Sequence, residues 1–164
     1  MLHHYIGRTL GYACLLLILL LPLAGCHERS GAGEYYTFAQ PKGGVWLSRS
    51  IYRFDLLFPA RTTTYDGEVI LRMDSRLDRP KARVEVRLSQ DGSLLRRDTL
   101  QAYFASEVGV WKRPGAMYHE FVFPLARSLQ APYAGLFSLE VRLLDTLPLR
   151  GVAAIGLHTT ERRP

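Results

Sequence analysis

Ala82-Arg83-Val84-Glu85-Val86-Arg87-Leu88-Ser89 alternates apolar and charged side chains almost without a break. Successive side chains of a strand point to opposite faces. This period therefore sends Val84, Val86 and Leu88 to one side of a sheet and Arg83, Glu85 and Arg87 to the other. A strand with one dry and one wet face belongs to an antiparallel sheet. The next residues, Gln90-Asp91-Gly92-Ser93, carry the Asp-Gly pair that favours a tight two-residue hairpin turn. Leu94 to Phe104 is then the returning strand, with a bulge expected around Arg96-Arg97-Asp98, where three charges in a row interrupt the alternation.

The same period recurs on both sides of this hairpin. In Ile51 to Phe58, positions 52, 54, 56 and 58 share a face, and Pro59 stops the strand. Gly67 to Asp74 turns Val69, Leu71 and Met73 inward, with Ile70 as the exception. Gly135 to Leu144 turns Phe137, Leu139, Val141 and Leu143 inward. Shorter strands are expected at Tyr35 to Phe38, at Met117 to Phe123 and at Gly151 to His158, and Val45-Trp46 re-enters the core after the Pro41-Lys42-Gly43-Gly44 turn. Val108 to Gly115 reads as a loop and Pro124 to Leu129 as one short helical turn. About eight short strands with half-polar faces and no amphipathic helix make two sheets that bury their dry faces together. The expected fold is all-β, an antiparallel β-sandwich, jelly-roll-like or Ig-like.

The N-terminal part obeys another logic. Arg8 precedes an apolar run from Leu10 to Leu23 that Pro22 interrupts. The run is shorter than the ~20 apolar residues of a spanning helix, which fits a signal peptide. It closes on Leu23-Ala24-Gly25-Cys26, which resembles a bacterial lipobox. There the Cys26 thiolate would take a diacylglyceryl group as a thioether and, after cleavage, an N-acyl chain. The small residues Ala24 and Gly25 would let a peptidase reach the bond before Cys26. A lone cysteine ending an ordinary signal peptide or a short transmembrane helix is the alternative. The chain thus divides into a lipoprotein signal peptide at 1–25, a polar tether at 26–34 and a sandwich domain at 35–164. Two or more acyl chains would hold the domain firmly on a membrane. His27 rather than Asp follows the cysteine, which favours the outer membrane and leaves the inner membrane open.

Removing residues 1–25 from the 164 leaves 139, enough for one domain with a real core. Of 21 Lys and Arg only Arg8 would be lost, so the remainder carries 20 basic against 15 acidic residues. These charges are scattered rather than gathered into a stripe, which argues against a nucleic-acid partner. Cys14 lies in the apolar run and Cys26 would be alkylated, so no disulfide is expected and stability rests on burial.

Catalytic signatures are missing: there is no GxSxG, HExxH, P-loop or paired cysteine motif. His27, His119 and His158 do not have metal-ligand spacing, and no metal or other cofactor is expected. His119 is expected to point inward and His158 to be exposed. Asp55, Asp66, Glu68, Asp74 and Asp78 are the carboxylates that a fold could pair; Asp74 and Asp78 flank a loop where calcium is conceivable, but Arg76 and Arg79 would neutralise it. Trp46, Trp111, Tyr118 and Tyr133 lie near turns and are the candidate surface for a partner or a sugar. Equally, such rings plug the open ends of a sandwich.

In the C-terminal half, Arg97-Asp98-Thr99-Leu100, Gly109-Val110-Trp111, Tyr118, Phe123-Pro124, Gly135 to Glu140 and Leu147 to Leu157 follow one another in an order that resembles the gliding-motility lipoprotein GldH family of Bacteroidetes. The lipobox and Trp46 ahead of the Phe54 strand agree with it. Ser75 to Pro80 and Leu143-Leu144 depart from the family pattern, and they fall in loops that would face a partner. The resemblance implies a non-catalytic envelope lipoprotein that supports gliding and the linked type IX secretion apparatus, with protein partners in that machinery. It supplies no catalytic residues. A glycan-binding sandwich lipoprotein is the alternative.

Overall fold

The structure is a computed structural model that describes residues 33–60, 63–107, 110–111 and 117–162, without the side chains at 107, 110 and 111. The lipobox, the apolar run and the tether up to residue 32 lie outside the described residues, as does His27. The strands are, in chain order, β1 (Glu34–Ala39), β2 (Val45–Trp46), β3 (Ile51–Phe58), β4 (Thr64–Met73), β5 (Lys81–Gln90), β6 (Ser93–Tyr103), β7 (Ala105–Glu107), β8 (Val110–Trp111), β9 (His119–Pro124), β10 (Leu129–Gln130), β11 (Gly135–Leu143), β12 (Leu149–Arg150) and β13 (Val152–Glu161).

They form an antiparallel β-sandwich. One sheet has five strands in the order β1-β13-β4, with β9 and β10 both along the far side of β4; the other has four in the order β3-β11-β5-β6. Two short ribbons, β2 with β12 and β7 with β8, finish the ends. The Asp91-Gly92 hairpin is β5–β6. Gln90 pairs with Ser93 across Asp91 and Gly92, whose φ angles of 47° and 78° are the positive pair that a type I′ turn needs. The bulge sits slightly earlier than expected. The register shifts between Leu88 and Ser89, opposite Arg96 and Leu94, so Leu95 is the extra residue and the charged run resumes regular pairing.

The dry faces meet as the alternation requires. Val69, Leu71, Met73, Ile155 and Leu157 of the five-stranded sheet pack against Phe54, Leu56, Val84, Val86, Leu139 and Val141 of the other. Trp46 and Tyr52 close one end, rings edge to face at 5.9 Å. Phe58, Tyr65 and Phe137 close the other, with Phe58 edge-on to both neighbours at 5.1 and 5.0 Å.

Three local expectations are corrected. Residues 125–129 make no helical turn. Leu125 N–H instead donates to the Gly67 carbonyl at 2.8 Å and Leu129 pairs with Tyr65, so backbone groups that a helical turn would have satisfied locally are satisfied by β4. The strand expected from Met117 starts at His119, leaving Met117 and Tyr118 exposed before it. The 108–115 stretch contains β8, which pairs with β7, and the rest of that stretch lies outside the described residues.

Candidate functional site

Alternation and register together define the outward face of the five-stranded sheet. One row across it reads Tyr36, His158, Glu68; the next reads Phe38, Gly156, Ile70, Val122; a third reads Ala154, Arg72, Glu120. Gly156 is the low point. A Cβ built there would sit 2.4 Å from Phe38 Cε1, so the Phe38 ring lies over the glycine where any other residue would stand. The Arg72 guanidinium stacks on the ring, its Cζ 4.0 Å from the centroid, while Nε donates to Glu120 at 2.7 Å. Tyr36 meets Phe38 edge-on at 5.0 Å and the His158 ring at 5.3 Å. Ile70 shares this outward row yet is 2% exposed, which explains why it breaks the polar pattern of β4.

Beside Arg72 a groove of about 490 Å³ opens, within the range of small-ligand sites. Its floor is Ala153 and Ala154, its walls are the Gln40–Gly44 turn and the Asp74–Arg76 corner, and Tyr118 stands at its rim, 56% exposed. The sequence builds the walls locally. Asp74 accepts the Arg76 backbone N–H at 2.8 Å and the Arg76 side chain at 2.5 Å. Gly44, at φ 71°, leaves room for the same guanidinium, since a Cβ there would lie 2.5 Å from Nη2. Gly44 is therefore required twice, by its left-handed backbone and by the approach of Arg76. The hydrogen bond from Arg76 holds the Asp74 carboxyl below its usual range, and Arg72 and Arg76 are pushed up by Glu120 and Asp74. The groove thus presents charges that are already paired and fixed.

His158 does not stand free as expected. Its side chain is 23% exposed, with Nδ1 2.9 Å from Glu68 and Nε2 2.9 Å from Glu34. Burial lowers its pKa, but the hydrogen bonds to Glu68 and then Glu34, with their charges, outweigh that and leave it raised. Only the imidazolium can donate from both nitrogens, so the bracket of two carboxylates selects the charged form.

The four proposed aromatic surface residues part company. Trp46 is 0% exposed: it fills the end of the core and donates from Nε1 to the Ser50 carbonyl at 3.3 Å, so it is no ligand platform. The Trp111 side chain lies outside the described residues. Tyr118 lines the groove, whereas Tyr133, 50% exposed and 5.9 Å from Phe137, lies at the opposite end of the sandwich. His119 points inward as expected, 8% exposed. Asp74 binds Arg76 and Asp78 faces Arg79 at 3.4 Å, and among the described residues no three His, Cys, Asp or Glu are grouped to hold a metal. Sequence reading missed Arg72, Phe38 and Gly156, whereas it named Arg76 as the residue that would neutralise Asp74, and the two are paired. The visible trace of them was Gly156 in a run of core residues, where a strand glycine marks a close approach.

No protein-family model matches the chain, and no curated protein matches it. Among solved structures it is similar to TmCBM61 in complex with β-1,4-galactotriose, at 12% identity over 79% of this chain and 88% of that one, with a TM-score of 0.29. At that score the likeness carries no argument about this chain.

Proposed function

We propose that this chain is a lipid-anchored envelope protein that acts by binding rather than by catalysis, as a protein-interaction module of the gliding-motility and type IX secretion machinery. The observation that carries the binding role is the groove at Arg72, Asp74, Arg76 and Tyr118: its charges are pre-paired, and its one exposed aromatic stands at the rim. Rigid, pre-paired polar walls with an aromatic edge bind without the entropy cost of ordering free side chains. The lipobox resemblance at Leu23 to Cys26 supports anchoring, and the order of motifs from Arg97 to Leu157 supports the machinery assigned. Diacylglycerol and an N-acyl chain on Cys26 would hold the domain at the membrane, and the outer membrane is the proposed site. Palmitate labelling of the wild type and of Cys26→Ser tests the anchor: label is expected in the first and not the second, and an unlabelled wild type refutes it. Deletion in a gliding host tests the rest. Lost spreading or lost secretion of C-terminally signalled cargo is expected, and normal behaviour in both assays refutes it.

A second reading, glycan binding, is favoured by one observation, the exposed Tyr118 ring beside paired Arg and Asp side chains. A glycan array comparing wild type with Tyr118→Ala separates the two. Binding lost on truncating Tyr118 supports the glycan, and no binding removes it. Trp46→Ala is unsuitable as a control, because emptying a fully buried Trp site costs ~3–5 kcal/mol of stability.

A further inference from the structure

The two main sheets leave several edges among the described residues, and β3 is the longest of them without a Pro, a Gly or a bulge. β6 carries the bulge at Leu95, and Arg96 on it donates to the carbonyls of Arg127 and Ser128 at 2.8 and 2.7 Å. β9 ends in Pro124, and β1 has only six residues. β3 is different. Its eight residues contain no Pro or Gly, its register with β11 runs unbroken from Phe58 to Ile51, and among the described residues no strand pairs with its other side, although β1 approaches it and Tyr35 lies near Asp55. A flat edge of this length presents unpaired backbone donors and acceptors to any strand that fits.

The side chains say which strand fits. On the outward face β3 shows Ile51, Arg53, Asp55 and Leu57, which read apolar, positive, negative, apolar. Turned end for end, the pattern is complementary to itself. An antiparallel pairing of two β3 strands about Phe54 sets Arg53 of each copy against Asp55 of the other, and Ile51 against Leu57. Ile51 is 46% and Leu57 64% exposed, and Leu57 pairs within its own sheet with the equally bare Leu136, 59% exposed, so the contact would cover an apolar strip that is open in the monomer. Other registers fail. A slip of two residues in either direction brings Arg53 against Arg53 or Asp55 against Asp55, and a slip of one turns the core face outward. Arg53 is already steered by Glu140, 2.6 Å from Nη2, and keeps further N–H groups for a second carboxylate. The Leu57 carbonyl accepts from the Tyr65 hydroxyl at 3.3 Å and retains a second lone pair.

We infer that β3 is a homodimer edge: two copies join by antiparallel β3–β3 pairing into one continuous eight-stranded sheet. The contact is isologous, so it closes on itself and does not propagate into fibres. It uses the four-stranded sheet and is independent of the groove and of any partner there.

The test is the mass of the full-length chain, purified in detergent, across a concentration series by sedimentation. The wild type is expected to dimerise. Arg53→Asp and Asp55→Arg each set like charges opposite at two symmetry-related places and are expected to weaken dimerisation about tenfold or more. The double swap, Arg53→Asp with Asp55→Arg, restores opposite charges and is expected to return to within about threefold of the wild type. Both positions are exposed and Arg53 makes only a surface pair, so the fold survives, which thermal melts check. As a second measurement, mixed Ile51→Cys and Leu57→Cys chains, read against the wild type with a short thiol crosslinker, are expected to crosslink with each other and not with themselves. A wild type that stays monomeric overturns the inference. So do single swaps without effect, a double swap no better than the singles, self-crosslinking of either cysteine variant, or a chain that pairs β3 only with another protein's strand.

Discussion

The two wet faces of this sandwich are built on different physics. The five-stranded sheet covers its outer face with shape: Phe38 lies over Gly156, Arg72 lies on Phe38, and Tyr36 and His158 lean against the stack. The four-stranded sheet covers its outer face with charge. Glu85 at its centre is 4% exposed, with Arg142 at 2.7 Å, Arg97 at 3.5 Å and Arg87 in a shorter contact around it. Those hydrogen bonds and charges outweigh the burial that would raise its pKa and leave Glu85 below the usual range. The face built on shape holds a groove with fixed walls. The face built on charge ends in β3, which among the described residues pairs with a strand on one side alone. A close-packed face resists substitution by volume, and an ion-paired face resists it by charge.

That contrast can be broken most sharply at Gly156. Gly156→Val drives a branched side chain into the Phe38 ring and is expected to lower stability by ~3 kcal/mol in chemical denaturation, detaching β1 first by hydrogen exchange. A loss under ~1 kcal/mol would mean that the Phe38 contact does not organise the face. On the other sheet Glu85→Ala removes the hub of three arginines and is expected to cost ~2 kcal/mol. Glu140→Ala, which only frees the exposed Arg53, is expected to cost under ~1 kcal/mol. Equal losses from the two would show that burial of Glu85 is not what makes its arginine pairs matter.

A smaller effect depends on pH. The pKa of His158 is raised above its ordinary 6.5, so its stabilising bracket with Glu34 and Glu68 is complete below that value and is lost as pH rises through the raised one. Thermal melts across this window should fall for the wild type and flatten for His158→Gln. Parallel curves for the two would locate the pH dependence elsewhere. The smallest effect on stability is expected at the groove rim. Tyr118→Ala should leave the melt within ~0.5 kcal/mol of the wild type while removing whatever the groove binds in pull-down or array experiments. Unfolding on this change would make Tyr118 a structural ring.

The period-two pattern and the Asp-Gly turn placed the core strands within a few residues, because burial on one face is a local code with a fixed repeat. It also showed that Trp46 re-enters the core, although the same residue was open to a second reading as a surface ring. The pattern was silent where the answer depends on what lies across the sheet. Residues 125–129 read as a helical turn because nothing in them announces that β4 will take their hydrogen bonds. His158 read as exposed because its two carboxylate partners come from Glu34 and Glu68, far away in the chain.

Sequence alone determined that this chain builds a two-layer all-strand body, since alternation, turn chemistry and strand length all agree, and it alone carries the Leu-Ala-Gly-Cys stretch that resembles a lipobox. Only the tertiary structure decided which of its polar residues act together. Register set Phe38 over Gly156, gathered three arginines around Glu85, separated Tyr118 from Tyr133, and left β3, among the described residues, with a paired strand on one side alone. The physical reason is that a residue's face follows from its neighbours in the chain, whereas its partners follow from how strands distant in the chain are aligned.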